Sequence, residues 1–349
     1  MNRFDAAIVA ALLMVPAAAE AKTRRPAPAP LAAEAVNTAQ AGPGTPTRAL
    51  LVRTAVLLDR ARVSPGAIDG RAGDNLGKAV RAFRAKASLP EGTVIDAALL
   101  AKLTETDVAP ALVEYTVTEA DAEGPFDTIP KKLEEQGGLK RLGYADPGEL
   151  LAERFHTDAG LLRELNRGKP LDRVGTVLTV PNVAAPAADP SRAAEIASGK
   201  GVDKTDLAVA RSRVARLAID KAAGSLSAFD KDGRLLAFYP ATVGSAEKPA
   251  PSGTLRTVRV VPNPSYTYNP DYAFKGVRAR KKFDIAPGPN NPVGSVWIAL
   301  DREGYGIHGT PEPTKVGKTQ SNGCVRLTNW SALELSGMVD AGVPVEFGD

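Results

Sequence analysis

The chain has 349 residues, 44% of them hydrophobic, and 44 Lys/Arg against 40 Asp/Glu give a formal charge of +4. So small an excess, with no Lys/Arg block, argues against a nucleic-acid partner. Two histidines and one cysteine leave too little for a Cys/His zinc site, which takes about four such ligands, so neither metal nor cofactor is expected.

In chain order, Arg3 precedes an apolar run from Ala6 to Ala19, and Ala19-Glu20-Ala21 offers small residues at the spacing of a signal-peptidase site. The run is shorter than the roughly 20 residues that span a bilayer. Residues 1–21 are therefore expected to be an export signal. The mature chain would carry +5 and no membrane span, and would work in the periplasm or cell envelope on a carboxylate-rich polymer. Residues 22–47 hold five prolines and no apolar periodicity, which predicts an extended linker.

Residues 48–105 have helical spacing. Leu50, Leu51, Ala55, Leu57 and Leu58 mark one helix, and Leu76, Ala79, Val80 and Phe83 a second beyond the turn SPGAIDGRAGDN. A short third covers Asp96–Leu103. Ile68-Asp69-Gly70, Gly73 and the Ala79–Phe83 helix give this stretch a resemblance to peptidoglycan-binding-type domains, although Arg84 stands where that family often has Gln. Residues 112–182 read as strand, helix, loop, helix and a strand ending in Val180-Pro181. With Tyr115, Asn166, Gly175 and Leu178, this order resembles a LysM carbohydrate-binding module carrying an insertion over about Asp121–Tyr144. His156 reads as a structural or surface histidine. A second linker is expected over 183–212, rich in Pro and Ala.

From residue 213 to 348 short β-rich runs alternate with Gly/Pro turns, including a hairpin at Asp232-Gly233. SALELSGMVDAG alone reads as a helix, so a mainly-β sandwich or barrel with one helix is expected. Trp297, alternating within SVWIAL, and Trp330 are assigned to packing. The aromatic loop Asn263–Gly276 is assigned to the edge of the sandwich.

The reactive residue types lie close together. His308 ends a short strand that begins at Tyr305, and Cys324 follows sixteen residues later. An imidazole beside a thiol raises its thiolate fraction. Gly323 allows a tight turn whose backbone N–H groups, with that of Cys324, can face a carbonyl oxygen. Arg326 shares a strand face with Cys324 and is placed to favour the thiolate or hold a substrate carboxylate. From these residues alone, a Cys/His acyl-transfer site competes with a buried thiol and with a thiol paired to another chain.

PSGTL, PGPNNPVGSVWIAL, YGIHGT and SNGCVRL, in this order, resemble the L,D-transpeptidase (YkuD-like) catalytic domain. The family pattern of His-Gly followed by Ser/Thr-x-Gly-Cys-(Ile/Val)-Arg-Leu falls on His308-Gly309 and Ser321–Leu327, with Asn322 where many members have His. The resemblance implies a YkuD-type β-sandwich with Cys324 as nucleophile and His308 as general base and acid. It further implies an oxyanion hole from the Gly323 and Cys324 backbone, with substrate contacts from Arg326, Asn322, Ser321 and Tyr305. The implied reaction releases D-Ala from a peptidoglycan tetrapeptide stem and passes the acyl group to an amine, giving 3-3 cross-links. Transfer to water (an L,D-carboxypeptidase), transfer to an envelope lipoprotein, and a non-catalytic wall-binding protein are the alternatives. Peptidoglycan peptides and glycan are the expected partners. The expected fold is thus multidomain: a small α-helical module, a LysM-like α+β module and a mainly-β catalytic domain.

Overall fold

The computed structural model describes residues 31–183, 214–245, 248–272, 277, 279–321 and 323–348. The expected export signal, residues 22–30 of the first linker, nearly all of the second linker and Asn322 lie outside the described residues.

Helix α1 (Ala33–Asn37) corrects the expected linker over 22–47. Val36 is fully buried against the helical module, and the Asn37 side chain exchanges hydrogen bonds with the backbone of Leu112. Helices α2 (Arg48–Arg60), α3 (Asp74–Lys86) and α4 (Ala97–Thr104) follow. Thr47 and Asp96 cap α2 and α4 by accepting from the backbone N–H three residues on, which satisfies orphan donors of the first turn. Leu50, Val52, Leu58, Ala79, Val80 and Leu99 close their common core.

The next module pairs β1 (Leu112–Thr116) antiparallel with β2 (Val177–Pro181). Between them lie α5 (Glu119–Glu123), α6 (Leu133–Gln136), α7 (Pro147–Arg154) and α8 (Ala159–Leu165). Asp146 and Asp158 cap α7 and α8. Leu151, Leu162, Leu178 and Val180 form the small core between helices and strands.

The C-terminal part is one nine-stranded mixed sheet, in the order β5 (Leu235–Pro240), β4 (Ser225–Phe229), β3 (Arg216–Asp220), β13 (Pro344–Gly348), β7 (Gly253–Pro262), β10 (Val296–Leu300), β11 (Gly306–His308), β12 (Val325–Arg326), β6 (Thr242–Val243). Only Ala241 separates β5 from β6 in the chain, so the two ends of this order must approach each other and the sheet curls around its core. That core holds Leu217, Ile219, Tyr239, Ile298, Ile307, Val325 and Val345, with Leu333 and Leu335 from α9 (Asn329–Ser336). A separate hairpin pairs β8 (Tyr266–Tyr268) with β9 (Phe283–Ile285), where Tyr268 stacks on Phe283.

The three parts interlock within one compact unit, Leu31–Asp349. Ser64 N–H donates to Phe238 O at 2.8 Å and Phe238 N–H to Arg62 O at 2.9 Å, so the helical module extends the free edge of β5. Leu142, at the end of the insertion in the second module, donates to Pro287 O at 2.9 Å and accepts from Asn290 N–H at 3.1 Å. His156, buried rather than on the surface, stacks on Trp330 of α9 and bonds Asp59 of α2 at 2.9 Å.

Candidate active site

Four adjacent strands build the site. Trp297 of β10 is the register partner of His308 on β11, His308 that of Arg326 on β12, and Arg326 that of Thr242 on β6. Directly paired residues project from the same face of a sheet, so these four form a row. Cys324 lies in the bend that leads into β12, with its thiol toward the start of β11 and within the field of Arg326. Alternation thus sends Val296, Ile298, Ile307 and Val325 into the core and leaves the row on the other side.

His308 is 3% exposed, and its Nδ1–H donates to the Gly309 carbonyl at 2.7 Å. A carbonyl only accepts, so the proton sits on Nδ1 and Nε2 carries the lone pair. Burial, reinforced by the charge of Arg326 and opposed by the Gly309 carbonyl, pushes the imidazole down to about 3. Cys324 is half-buried, and its thiol lies 3.5 Å from Gly304 O. Burial raises the thiol above its ordinary range, against the pull of the Gly306 backbone and of Arg326. Both shifts favour neutral thiol beside neutral imidazole as the resting state. Arg326 has the opposite burden: burial lowers it, while Cys324, Glu312 and Tyr266 help hold its charge. Its Nε is buried without a hydrogen-bond partner, and Nη1 reaches only Gln320 O at 3.5 Å. A guanidinium with an unsatisfied buried donor is suited to an anionic ligand.

Three glycines let the parts approach. A Cβ on Gly306 would stand 2.4 Å from the Trp297 ring, and one on Gly309 would stand 2.1 Å from Asn329 Oδ1. Gly323 has φ +96°, in the left-handed region, and turns the chain into Cys324 beside the Tyr305 ring. Tyr305 is half-buried, with the Arg302 guanidinium 5.0 Å above its ring.

The structure pairs His308 with Arg326 in register, puts Cys324 within the field of Arg326 and sets Gly323 against the Tyr305 ring. Ser321 is buried, its hydroxyl donates to Cys324 O at 2.6 Å and its N–H to Gly244 O at 2.9 Å. Both polar groups of Ser321 are spent holding the Cys324 loop. Trp297, expected in the core, is half-buried on the site face and stacks on His308 with centroids 5.3 Å apart. Its strand alternation was a usable signal, since Val296, Ile298 and Leu300 occupy the inward positions. Among the described residues no group of three or more His, Cys, Asp or Glu is arranged to hold a metal ion. A cleft of about 1020 Å³ opens elsewhere, between α3 and β4–β5, lined by Lys78, Arg81, Asp230 and Arg234. It includes none of the residues of this row.

Residues 215–347 match the L,D-transpeptidase catalytic domain, YkuD. A Fuscovulum blasticum protein provisionally named an L,D-transpeptidase is 30% identical over 129 residues, covering 37% of this chain and 67% of that protein. The chain belongs to the L,D-transpeptidase catalytic-domain family. The YkuD protein of Bacillus licheniformis, named in the same provisional way, is 31% identical over 130 residues, 37% of this chain. The chain spans 63% of that relative's length. YkuD of Bacillus subtilis matches at 26% over 185 residues, 53% of this chain and 97% of the relative. That match is longer than the catalytic segment alone. The L,D-transpeptidase segment coincides with the curled sheet and contains the whole row from Trp297 to Arg326. No helix among the described residues is long and apolar enough to cross a membrane.

Proposed function

We propose that the protein is a cysteine-dependent L,D-transpeptidase of the cell envelope that acts on peptidoglycan stem peptides. The observation that carries this reading is the single thiol of the chain beside Arg326, whose register partner is a buried histidine with its Nδ1 fixed by a carbonyl. Cys324 Sγ attacks the carbonyl carbon at the L-centre of the third stem residue as its proton passes to His308 Nε2. The oxyanion is met by the backbone N–H groups of Gly323 and Cys324. The C–N bond to D-Ala breaks, the departing amine takes the proton from His308, and a thioester remains. An acceptor amine, typically of a second diaminopimelate, attacks the thioester, returns a proton through His308 to sulfur and leaves a 3-3 cross-link.

The electrostatics fit a proton transfer coupled to attack. An imidazole held near 3 is a weak base at rest but, once protonated, a strong acid toward the leaving amine. A substrate carboxylate paired with Arg326 would cancel the charge that depresses His308 and make it a better base when substrate is present. The helical and strand-helix-strand modules are proposed to hold the enzyme on glycan and peptide. The 185-residue match to the Bacillus subtilis relative favours treating at least part of them as belonging with the domain.

Purified full-length protein incubated with tetrapeptide muropeptides, with products resolved by mass, tests the reading. Cross-linked dimers that have lost D-Ala support transpeptidation, and tripeptide alone means that water is the acceptor. Turnover by Cys324→Ala would refute the mechanism.

A further inference from the structure

Asn329, the first residue of α9, is fully buried behind His308. Its Oδ1 accepts from Ser295 N–H at 3.1 Å and lies so close to Gly309 and Gly294 that neither position has room for a side chain. Gly309 is the residue whose carbonyl fixes His308 Nδ1. The amide group of Asn329 is held from the opposite side. Its Nδ2 donates to both carboxyl oxygens of Glu153, each at 3.1 Å, and to Pro289 O at 3.1 Å.

Glu153 lies outside the catalytic domain. It is on α7 of the preceding module, is 7% exposed, and also accepts from Tyr144 Oη at 3.2 Å. The same module fastens the segment in front of Asn329: Leu142 bonds Pro287 and Asn290, and Gly143 O accepts from Asn290 Nδ2 at 2.8 Å. A buried carboxyl placed across a module boundary, with its partners limited to one phenol and one amide, costs several kcal/mol to desolvate unless those contacts are kept. Each other hydrogen bond to the Asn329 side chain comes from the catalytic domain's own backbone. Among the described residues Glu153 is its one side-chain partner.

We infer that Glu153 is a positioning residue for the catalytic histidine: through Asn329 it fixes the Gly309 carbonyl, and thereby the tautomer and ring orientation of His308. The accessory module is on this reading part of the catalytic apparatus as well as a wall-binding element. The inference rests on His308 acting on Cys324 as proposed above, and the experiment separates the two.

Cys324 is the only cysteine, so alkylation of the full chain by iodoacetamide reports on that thiol alone. Its rate is followed from pH 5 to 10, beside muropeptide turnover, in wild type, Glu153→Gln, Glu153→Leu and His308→Gln. Gln keeps an acceptor oxygen opposite the Asn329 amide and should preserve both the pH profile and kcat to within about threefold. Leu removes it; kcat should fall about 10–100-fold with KM little changed, the scale of loss when a catalytic group is misplaced by about 1 Å, and the alkylation profile should move toward that of His308→Gln. A folded Glu153→Leu with the wild-type profile and kcat overturns the inference, as does equal loss in the Gln and Leu variants. If Glu153→Leu does not fold, Asn329→Ser, which breaks the same link from the catalytic side, must reproduce the altered profile, and a wild-type profile there also overturns it. If His308→Gln itself leaves the profile unchanged, the Cys/His mechanism fails instead.

Discussion

Gly306→Ala probes the stack of Trp297 on His308 through a single added methyl. Gly306 lacks the positive φ that would make a side chain costly in itself, so the added methyl should act only through what it touches. The new Cβ would lie 2.4, 2.5 and 2.9 Å from three atoms of the Trp297 ring, whereas unstrained carbon contacts sit near 3.5–4.0 Å. The ring must retreat by roughly 1 Å or more, away from a histidine with which it is now stacked at 5.3 Å and 17°. Overpacking of this kind costs about 1–3 kcal/mol, and loss of the ring's support should lower kcat by about 10–100-fold. Denaturant unfolding measures the first quantity and muropeptide turnover the second. The double variant Gly306→Ala/Trp297→Leu removes the overlap but also the stack, so it should recover most of the stability and none of the activity. Wild-type turnover in the single variant, or recovery of turnover in the double variant, would refute a role for the stack.

Arg326→Leu removes the charge that lowers both His308 and Cys324, so both groups should titrate higher. Iodoacetamide alkylation near neutral pH should slow by about tenfold for each unit that the thiol rises, and kcat/KM for stem peptide should fall about 10–100-fold as a charge-assisted hydrogen bond is lost. Burial raises Glu153 from 4.5 to about 8, so the folded state holds a proton that the unfolded state releases. The stability this confers is complete below about pH 4.5 and is lost as pH climbs through about 8, at up to about 1.4 kcal/mol per unit. Thermal unfolding of wild type should therefore fall between pH 5.5 and 8.5, and Glu153→Gln should flatten the slope. His156→Ala should destabilise by about 2–4 kcal/mol in denaturant unfolding, because it leaves Asp59 buried without its 2.9 Å partner, removes the stack on Trp330 and puts Ala at φ +52°. A wild-type unfolding midpoint would show that the two modules do not depend on this contact.

The elements were legible wherever a local rule decides them. Helical spacing over 48–105 and capping residues such as Asp96 and Asp158 place helices without reference to the rest of the chain. The hairpin at Asp232-Gly233 is equally local, since Gly233 adopts φ +77° between two antiparallel strands. The pairing order of nine strands was not legible, because β12 joins β11 in parallel through a sixteen-residue excursion that no periodicity encodes. The insertion over Asp121–Tyr144 looked like an interruption of a small module. Its far end, Leu142, is fully buried and bonded to the loop at Pro287–Asn290, a role visible only once both segments have folded.

The candidate site divides along the same line. Cys324, His308 and Arg326 are reactive residue types in a short stretch, so chemistry alone nominated them. Trp297 could have been nominated by alternation, because three inward neighbours leave it the outward face. Asn329 and Glu153 could not. An Asn at a helix start and a Glu in an amphipathic helix have ordinary explanations as a first-turn polar residue and a solvated face. What removes those explanations is burial. With Glu153 7% exposed and Asn329 fully enclosed, each polar atom must find a partner, and the partners are each other, the Tyr144 hydroxyl and the backbone of Ser295 and Pro289. A domain with only its own sheet could end its polar chain at Asn329 in water. Here the preceding module closes over that end, so that docking and the orientation of His308 depend on the same hydrogen bonds.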